Sequence, residues 1–258
     1  LETMLMIRWA PTISLLSAGM VCSGATTAPA PGTGLRFDGS RVLAVHGAAL
    51  ALDPEHLTVA AWVKLNATDK PQVFLNCGRA NTAFTFYLFR GQIRMLIGHT
   101  ADAYLHARTN APTPGTWVHL AGTYDGQTIR IYRNGLPAME TPAPGRMASE
   151  NEDVFIGSLN DHERFLDGEM DDIRLWERTL SADEIAAVAN RASGAEIDQS
   201  LLARWTTQSQ QNGDLVSLEP GTLTATVREK GSLLVNGKAE GFRGIWYSNQ
   251  PSGDAYVY

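Results

Sequence analysis

Acidic side chains crowd one strand-like run of the sequence and are the first candidates for chemistry. Glu169 and Asp171 alternate along this run, and Asp172 follows directly. Hydrolysis of a glycosidic bond requires two carboxyl groups that flank the bond. An acid three residues after Asp171 would complete a catalytic set with Glu169. That position is occupied by Arg174, whose guanidinium stays protonated near neutral pH. The sequence therefore predicts no catalytic residue here, and a glycosidase is kept only as an alternative.

A polar loop between two strand-like runs is the candidate for ligand contact. Its residues Asn160, Asp161, His162 and Arg164 offer hydrogen-bond donors, acceptors and charges of both signs. The six histidines of the chain show no spacing typical of a metal site. The sequence also contains no nucleophile elbow and no phosphate-binding glycine loop. These features favour a binding protein over an enzyme.

The composition is that of a globular protein with a mild acidic balance. The chain has 258 residues, of which 44% are hydrophobic and 19% charged, and its formal net charge is -6. This length allows one large domain or two modest ones. A weakly acidic chain does not favour nucleic acid or an anionic membrane as its partner.

The N-terminal residues are typical of an export signal. Arg8 precedes a short apolar run at 13–21, and residues 23–25 supply the small side chains that a signal peptidase recognises. The apolar run is too short to span a membrane. We expect residues 1–25 to be removed and the protein to be secreted, periplasmic or on the cell surface. Cys22 leaves a lipoprotein as the alternative.

Short runs of β-branched and aromatic residues, separated by turn residues, predict an all-β sandwich. Asp125-Gly126 and Asn134-Gly135 each lie between two such runs and are strong hairpin signals. One short helix is predicted near the C-terminal end of the sandwich. Ser181 and Glu184 form its capping box, and an apolar stripe follows them. Residues 26–34, rich in Ala, Pro, Thr and Gly, are predicted to be a linker.

Ordered blocks between residues 35 and 207 resemble a known family. They read LRFDGS (35–40), LTVAAWVKL (57–65), GTWVHLAGTYDGQTIRIYRNGLP (115–137), DVFIGSLN (153–160) and FLDGEMDDIRLWERTLSADEIAAV (165–188). In order and content these blocks are similar to the laminin-G-like family of concanavalin A-like domains. The resemblance implies a two-sheet antiparallel jelly-roll sandwich over residues 35–207. It also implies binding of carbohydrate or protein, often with calcium.

Two acids within these blocks lead to a calcium hypothesis. Asp171 shares its strand parity with apolar residues that are expected to face a core, and a buried carboxylate needs a cation or several donors. By the resemblance, Asp38 is the family's other acid near a metal. We therefore predict one calcium ion near Asp38 and Asp171, where the first and last strands would meet. The alternatives are a salt bridge from Asp171 to Arg174 or Arg36, or an exposed Asp171 beyond a β-bulge.

The C-terminal tail carries a second resemblance. Residues 241–258 are similar to the opening of a BNR-type β-propeller family, some members of which are polysaccharide lyases. The resemblance implies a linker at 208–221 and the incomplete start of a propeller-like domain at 222–258. Because this tail is too short for a core of its own, either the domain continues beyond Tyr258 or the tail strands dock on the sandwich.

Three functions are compatible with these observations. The first is a secreted carbohydrate-binding module attached to a polysaccharide-degrading propeller enzyme, with catalytic residues beyond Tyr258. The second is a protein-binding or adhesion module with no glycan role. The third is the concanavalin-like glycosidase. The first of them makes a polysaccharide or other glycan the bound partner and places the module in a larger enzyme.

Overall fold

The computed structural model describes most of the chain from Thr26 onward. It describes residues 26, 28–30, 33–45, 52–78, 82–100, 103–148, 153–160, 163–194 and 196–207, and strand backbone at 210–211, 214–216, 224–229, 232–235, 238–241, 245–247 and 255–257. The predicted signal at 1–25 lies outside the described residues. Among the residues that are described, no helix combines the length and the apolar character of a membrane span.

Seven antiparallel strands form the first sheet. Across the sheet they run β1 (Leu35–Asp38), β12 (Asp167–Trp176), β3 (Leu57–Leu65), β8 (Trp117–Tyr124), β9 (Thr128–Arg133) and β10 (Leu136–Pro142), with β13 (Leu201–Trp205) also paired to β12. The first and last blocks of the laminin-G-like pattern thus become neighbours in the sheet, as the resemblance implied.

Six strands form the main part of the second sheet. Across it they run β2 (Arg41–Val45), β11 (Val154–Ile156), β4 (Gln72–Cys77), β5 (Ala83–Phe89), β6 (Gln92–Thr100) and β7 (Ala103–Asn110). The two antiparallel sheets confirm the predicted all-β jelly-roll sandwich.

The second sheet is extended at its β2 edge by strands from the tail. These strands are β14 (Gln210–Gln211), β15 (Asp214–Val216) and β16 (Thr224–Glu229), and β16 pairs directly with β2. Two further strand pairs follow, formed by β17 (Ser232–Val235) with β18 (Lys238–Gly241) and by β19 (Ile245–Tyr247) with β20 (Ala255–Val257). Part of the tail therefore docks on the sandwich, while the division into domains stays a prediction.

Apolar side chains from the facing surfaces of the two sheets fill the core. Val59, Ala61 and Val63 alternate inward along β3 and meet Phe74 and Phe86 of the second sheet. The intervening residues of β3 are also buried, because a helix covers the outer face of the first sheet. This explains why LTVAAWVKL is almost continuously apolar, a pattern typical of a strand that is buried on both faces.

The helix that covers the first sheet is α1 (Ala182–Ala189), and its capping box is confirmed. The Ser181 hydroxyl accepts from the Glu184 amide, and the Glu184 carboxylate accepts from the Ser181 amide. Ile185 and Val188 pack on Trp176 in a cluster on the outer face of the first sheet. The helix thereby fixes which face of the first sheet is closed to solvent.

Candidate functional site

The two acids assigned to calcium lie at different points of the first sheet. Asp38 ends β1 opposite Asp167 of β12, whereas Asp171 lies four residues further along β12. At about 3.3 Å per residue, this places them roughly 13 Å apart along the strand. Oxygens that bind one calcium ion each lie only about 2.5 Å from it. The structure therefore does not bring Asp38 and Asp171 together.

Asp38 is used to shape the turn from β1 to β2. Its Oδ1 atom accepts hydrogen bonds from the Ser40 hydroxyl at 2.7 Å, the Ser40 amide at 3.1 Å and the Arg41 amide at 3.2 Å. These bonds, that of the Ser40 hydroxyl first, lower the pKa of the Asp38 carboxyl. The carboxylate is exposed and acts as a local turn acceptor.

Asp171 is buried, but it faces away from the inter-sheet core. A β-bulge shifts the register between Asp171 and Arg174, with Asp172 at a positive φ of 48°. Ile173 enters the core, whereas Asp171 Oδ2 accepts from Arg191 Nη2 at 2.8 Å. The expected parity was wrong because a bulge adds one residue and changes the face. The guanidinium of Arg191 supplies the positive charge beside this carboxylate, so Asp171 does not share one calcium ion with Asp38 here; calcium binding itself stays a prediction.

The neighbouring acid Asp172 lies at the centre of a buried ionic cluster. It accepts from Arg174 Nε at 2.9 Å and Nη2 at 2.8 Å, and from Arg204 Nε at 2.7 Å. Burial acts to raise the pKa of Asp172, but the hydrogen bonds and charges of the two guanidiniums outweigh it and lower that pKa. Arg174 also donates to the Ala192 carbonyl at 2.7 Å. The cluster ties the segment after α1 to the sheet.

Glu169, the first acid of this run in the sequence, forms an ion pair with Lys64 on the neighbouring strand β3. All three acids of the run are therefore bound to basic side chains on the outer side of the first sheet. Asp171 and Asp172 are also covered, since their side chains are only 6% and 1% exposed. This arrangement supports a structural role and gives the glycosidase alternative no pair of open carboxyl groups.

The outer face of the second sheet carries a different set of side chains, of which Tyr104 and Arg108 are exposed. Ile93, Met95 and Ile97 of β6 point into the core, so Arg94 between them points outward. The register places Tyr87 of β5 and residues of β7 beside it. We call this surface the β5–β7 face, which consists of Tyr87, Phe89, Arg94, Leu96, Tyr104, His106 and Arg108.

The loop predicted to contact ligand folds along the β4 side of this face. Leu159 packs on Val73, Tyr87 and Leu96, and the Val73 amide donates to the Arg164 carbonyl at 2.9 Å. Asn160 accepts from the Asn76 amide at 2.6 Å when that amide is oriented to satisfy its neighbours. Asn160 and Arg164 thus border the β5–β7 face. Asp161 and His162, the other two loop candidates, lie outside the described residues.

Arginine side chains dominate the electrostatics of the β5–β7 face. Burial raises the pKa of Tyr87, while a hydrogen bond and the charge of Arg94, together with the charge of Arg164, oppose the rise. Burial and then the charges of Arg94 and Arg108 lower the pKa of His106. Three guanidiniums therefore act on side chains of one surface.

Aromatic rings give this face a surface for stacking. Tyr104 is 45% exposed and lies on β7 four residues before Arg108, with its side chain on the same face of the sheet. The Arg94 guanidinium lies 5.0 Å from the centre of the Phe89 ring, and that of Arg90 lies 5.2 Å from it. Phe89 is thus held beside two guanidiniums, and Tyr104 adds an exposed ring to the same face.

Sequence reasoning missed the β5–β7 face, although the sequence contained one signal of it. Residues 70–124 include five basic residues and a single acidic one, Asp102, in a chain whose net charge is -6. The arginines are far apart in sequence and no motif joins them. Only the pairing of β5, β6 and β7 brings them onto one surface.

Comparisons with known proteins agree with the fold. The family model described as the concanavalin A-like lectin/glucanases superfamily matches residues 37–186. No curated protein matches the sequence. A solved structure of a Bacteroides ovatus protein, described as a candidate carbohydrate binding protein, is 14% identical with a TM-score of 0.60; the match covers 77% of this chain and 59% of that one. The chain thus spans less than two thirds of that neighbour.

Two further solved structures share the fold at low identity. The heptameric SAP-like pentraxin of Limulus polyphemus is 18% identical with a TM-score of 0.52, and the match covers 76% of this chain and 93% of that one. Domain 4 of AbnA, an extracellular GH43 arabinanase of Geobacillus stearothermophilus solved with arabinotriose, is 19% identical with a TM-score of 0.52. That match covers 63% of this chain and 79% of the domain.

Proposed function

The chain belongs to the concanavalin A-like lectin/glucanases superfamily, and we propose that it is a secreted module that binds carbohydrate on the β5–β7 face. The observation that carries the proposal is the exposed Tyr104 ring, which lies on the same outer face of the second sheet as Arg94 and Arg108. A sugar ring presents C–H groups that stack on an aromatic face, and hydroxyl groups that exchange hydrogen bonds with planar polar side chains.

The loop beside this face supplies the polar groups that would orient a sugar. Asn160 and Arg164 both adopt positive φ angles, of 52° and 54°, and the Leu159–Glu163 backbone pair closes the loop between them. A loop fixed in this way on a rigid sheet suits ligand recognition. The two loop residues complement the aromatic surface of β5 to β7.

The names of two structural neighbours agree with a glycan ligand. One is described as a candidate carbohydrate binding protein, and the other is an arabinanase domain solved with arabinotriose. At 14% and 19% identity these neighbours establish the fold alone, so the ligand of this chain rests on the face itself.

We place the module in a larger secreted protein. The resemblance of residues 241–258 to a BNR-type propeller supports attachment to a polysaccharide-degrading enzyme, and the signal-like residues 1–25 support export. In this arrangement the sandwich would hold the enzyme on its substrate. A protein-binding or adhesion role is the competing proposal.

Affinity electrophoresis of the purified full chain tests carbohydrate binding. We expect at least one soluble polysaccharide of a panel of neutral and acidic glycans to slow its migration. Tyr104→Ala should weaken that binding roughly fivefold, because a stacked ring contributes about 1 kcal/mol. Leu136→Ala is the matched control, since Leu136 is 59% exposed on the first sheet.

Two outcomes would contradict the proposal. One is unchanged migration with every glycan of the panel. The other is equal weakening by Tyr104→Ala and by the Leu136 control, which would mean that the β5–β7 face is not the site. Capture of a specific protein that Tyr104→Ala abolishes, without any glycan binding, would favour the adhesion role.

A further inference from the structure

The charge of the β5–β7 face points to the chemical class of its ligand. The described strands β4 to β7 contain no acidic residue, although the whole chain is acidic with a net charge of -6. We infer, on the basis of the proposed carbohydrate function, that the ligand is an acidic polysaccharide whose carboxylate or sulfate groups bind Arg94 and Arg108. Charge complementarity between this face and such a chain is the main argument.

Arg94 is held in place before any ligand arrives. Its Nη2 atom donates to Gln92 Oε1 at 2.9 Å, and its guanidinium packs 5.0 Å from the centre of the Phe89 ring. The Nε atom of Arg94 is buried, and no described residue accepts a hydrogen bond from it. A fixed guanidinium loses little conformational entropy when it binds an anion, and its planar donors match carboxylate and sulfate geometry.

Arg108 stands directly opposite Arg94 on the neighbouring strand. Like charges at directly opposed positions of an antiparallel pair destabilise the sheet. Within the described part of the chain, no carboxylate forms an ion pair with either guanidinium. An anion bound between the two side chains would offset their repulsion. Anion binding would therefore explain why two arginines occupy directly opposite positions.

Further cations surround the pair and extend the basic surface along the sheet. Arg90 occupies the β5–β6 turn beside Phe89, and Arg164 acts on Tyr87 from the loop at the β4 side. The lowered pKa of His106, to which Arg94 and Arg108 both contribute, reflects the same positive field. A surface with several cations suits a polymer with repeated negative charges better than a single small anion.

Paired polysaccharides that differ only in charge test this inference. The full chain would be titrated with polygalacturonate, alginate and chondroitin sulfate, and with polygalacturonate and alginate after carboxyl reduction to their neutral forms. We expect an acidic polymer to bind at least tenfold more tightly than its neutral form. Binding should weaken about tenfold between 0.05 and 0.5 M NaCl, because salt screens exposed charges.

Substitutions locate the charges that matter. Arg94→Gln and Arg108→Gln should each weaken binding of the acidic polymer about tenfold, and together more strongly. The matched control is Arg36→Gln, which removes an exposed arginine from β1 on the opposite sheet. Because chondroitin sulfate carries both carboxylate and sulfate, comparison with its desulfated form identifies which anion the arginines take: equal binding assigns carboxylate, and loss of binding assigns sulfate. Unchanged thermal unfolding of the variants would show that the loss is not a folding defect.

The outcomes separate this inference from the proposed function. Tight binding of a neutral glycan that needs Tyr104 but neither arginine would overturn the acidic ligand and leave the carbohydrate function intact. An equal loss of affinity in Arg36→Gln and Arg94→Gln would also overturn the inference. Binding would then depend on the total charge of the protein and not on the β5–β7 face. If no glycan binds, neutral or acidic, the result would contradict the carbohydrate function itself.

Discussion

A buried histidine should make this protein lose stability in mild acid. His119 lies on β8 at 1% exposure, edge-on to Trp62 at a ring distance of 5.6 Å. In the described residues neither of its ring nitrogens has a hydrogen-bond partner. Burial lowers the pKa of His119 to about 3, the charge of Asp172 acts to raise it, and the charges of Arg174 and Arg191 lower it further.

The size of the effect follows from proton linkage. In the unfolded chain a histidine has a pKa near 6.5. Below that pH the unfolded state therefore binds a proton at His119 that the folded state does not bind. The contribution of His119 to the free energy of unfolding is therefore fully present above pH 6.5. It falls steadily as the pH is lowered towards the folded pKa of about 3. At pH 5 the loss from this one residue is about 2 kcal/mol.

Urea unfolding followed by tryptophan fluorescence at pH 7.5, 6 and 5 measures the effect. His119→Leu removes the titrating group, and its free energy of unfolding should change between pH 7.5 and 5 by about 2 kcal/mol less than that of the wild type. His106→Gln is the matched control, because His106 is half-buried and its pKa is lowered less. Carboxyl groups contribute little in this window, since their ordinary pKa values lie near 4.

The reasoning would be refuted by parallel pH profiles for the wild type and His119→Leu. Such a result would mean that the imidazole accepts a proton in the folded state, through a partner or a water molecule near the ring. A pH dependence that disappears in His106→Gln instead would assign the effect to the β5–β7 face.

Further predictions concern the acid run and one glycine. Asp172→Asn should cost about 3–5 kcal/mol in urea unfolding, because it leaves the guanidinium of Arg174 buried without its charge partner. Gly168→Ala should abolish soluble expression or cost more than about 2 kcal/mol, since the added Cβ would overlap the β3 backbone. Asp171→Asn should lower the melting temperature equally in calcium and in chelator, because Asp171 partners Arg191; a loss seen only in calcium would restore the predicted metal site.

Local signals in the sequence were sufficient to predict turns and the start of the helix. Asn134 and Gly135 have φ values of 50° and 79°, the conformation that a two-residue hairpin turn requires and that this dipeptide adopts readily. Ser181 and Glu184 cap a helix because their side chains reach backbone amides only three residues away. These contacts lie within a few residues, so the sequence alone predicted them.

The candidate site was predicted only in part, because its parts come from distant segments. The loop with Asn160 and Arg164 was recognised from its polar composition, and the structure places it beside the β5–β7 face. The face itself was missed. Arg94 and Arg108 are 14 positions apart, and they become neighbours only through the register of β6 and β7.

The role of the acid run was decided by tertiary structure alone. The sequence showed Asp171 in parity with Ile173, and the parity was broken by a bulge that moves Asp171 to the opposite face. The partners of these acids, Arg191 and Arg204, come from the segment after α1 and from β13. Local periodicity determines where strands and turns form, but one inserted residue reverses the face of every side chain beyond it. Which charges meet therefore depends on the packing of the complete sandwich.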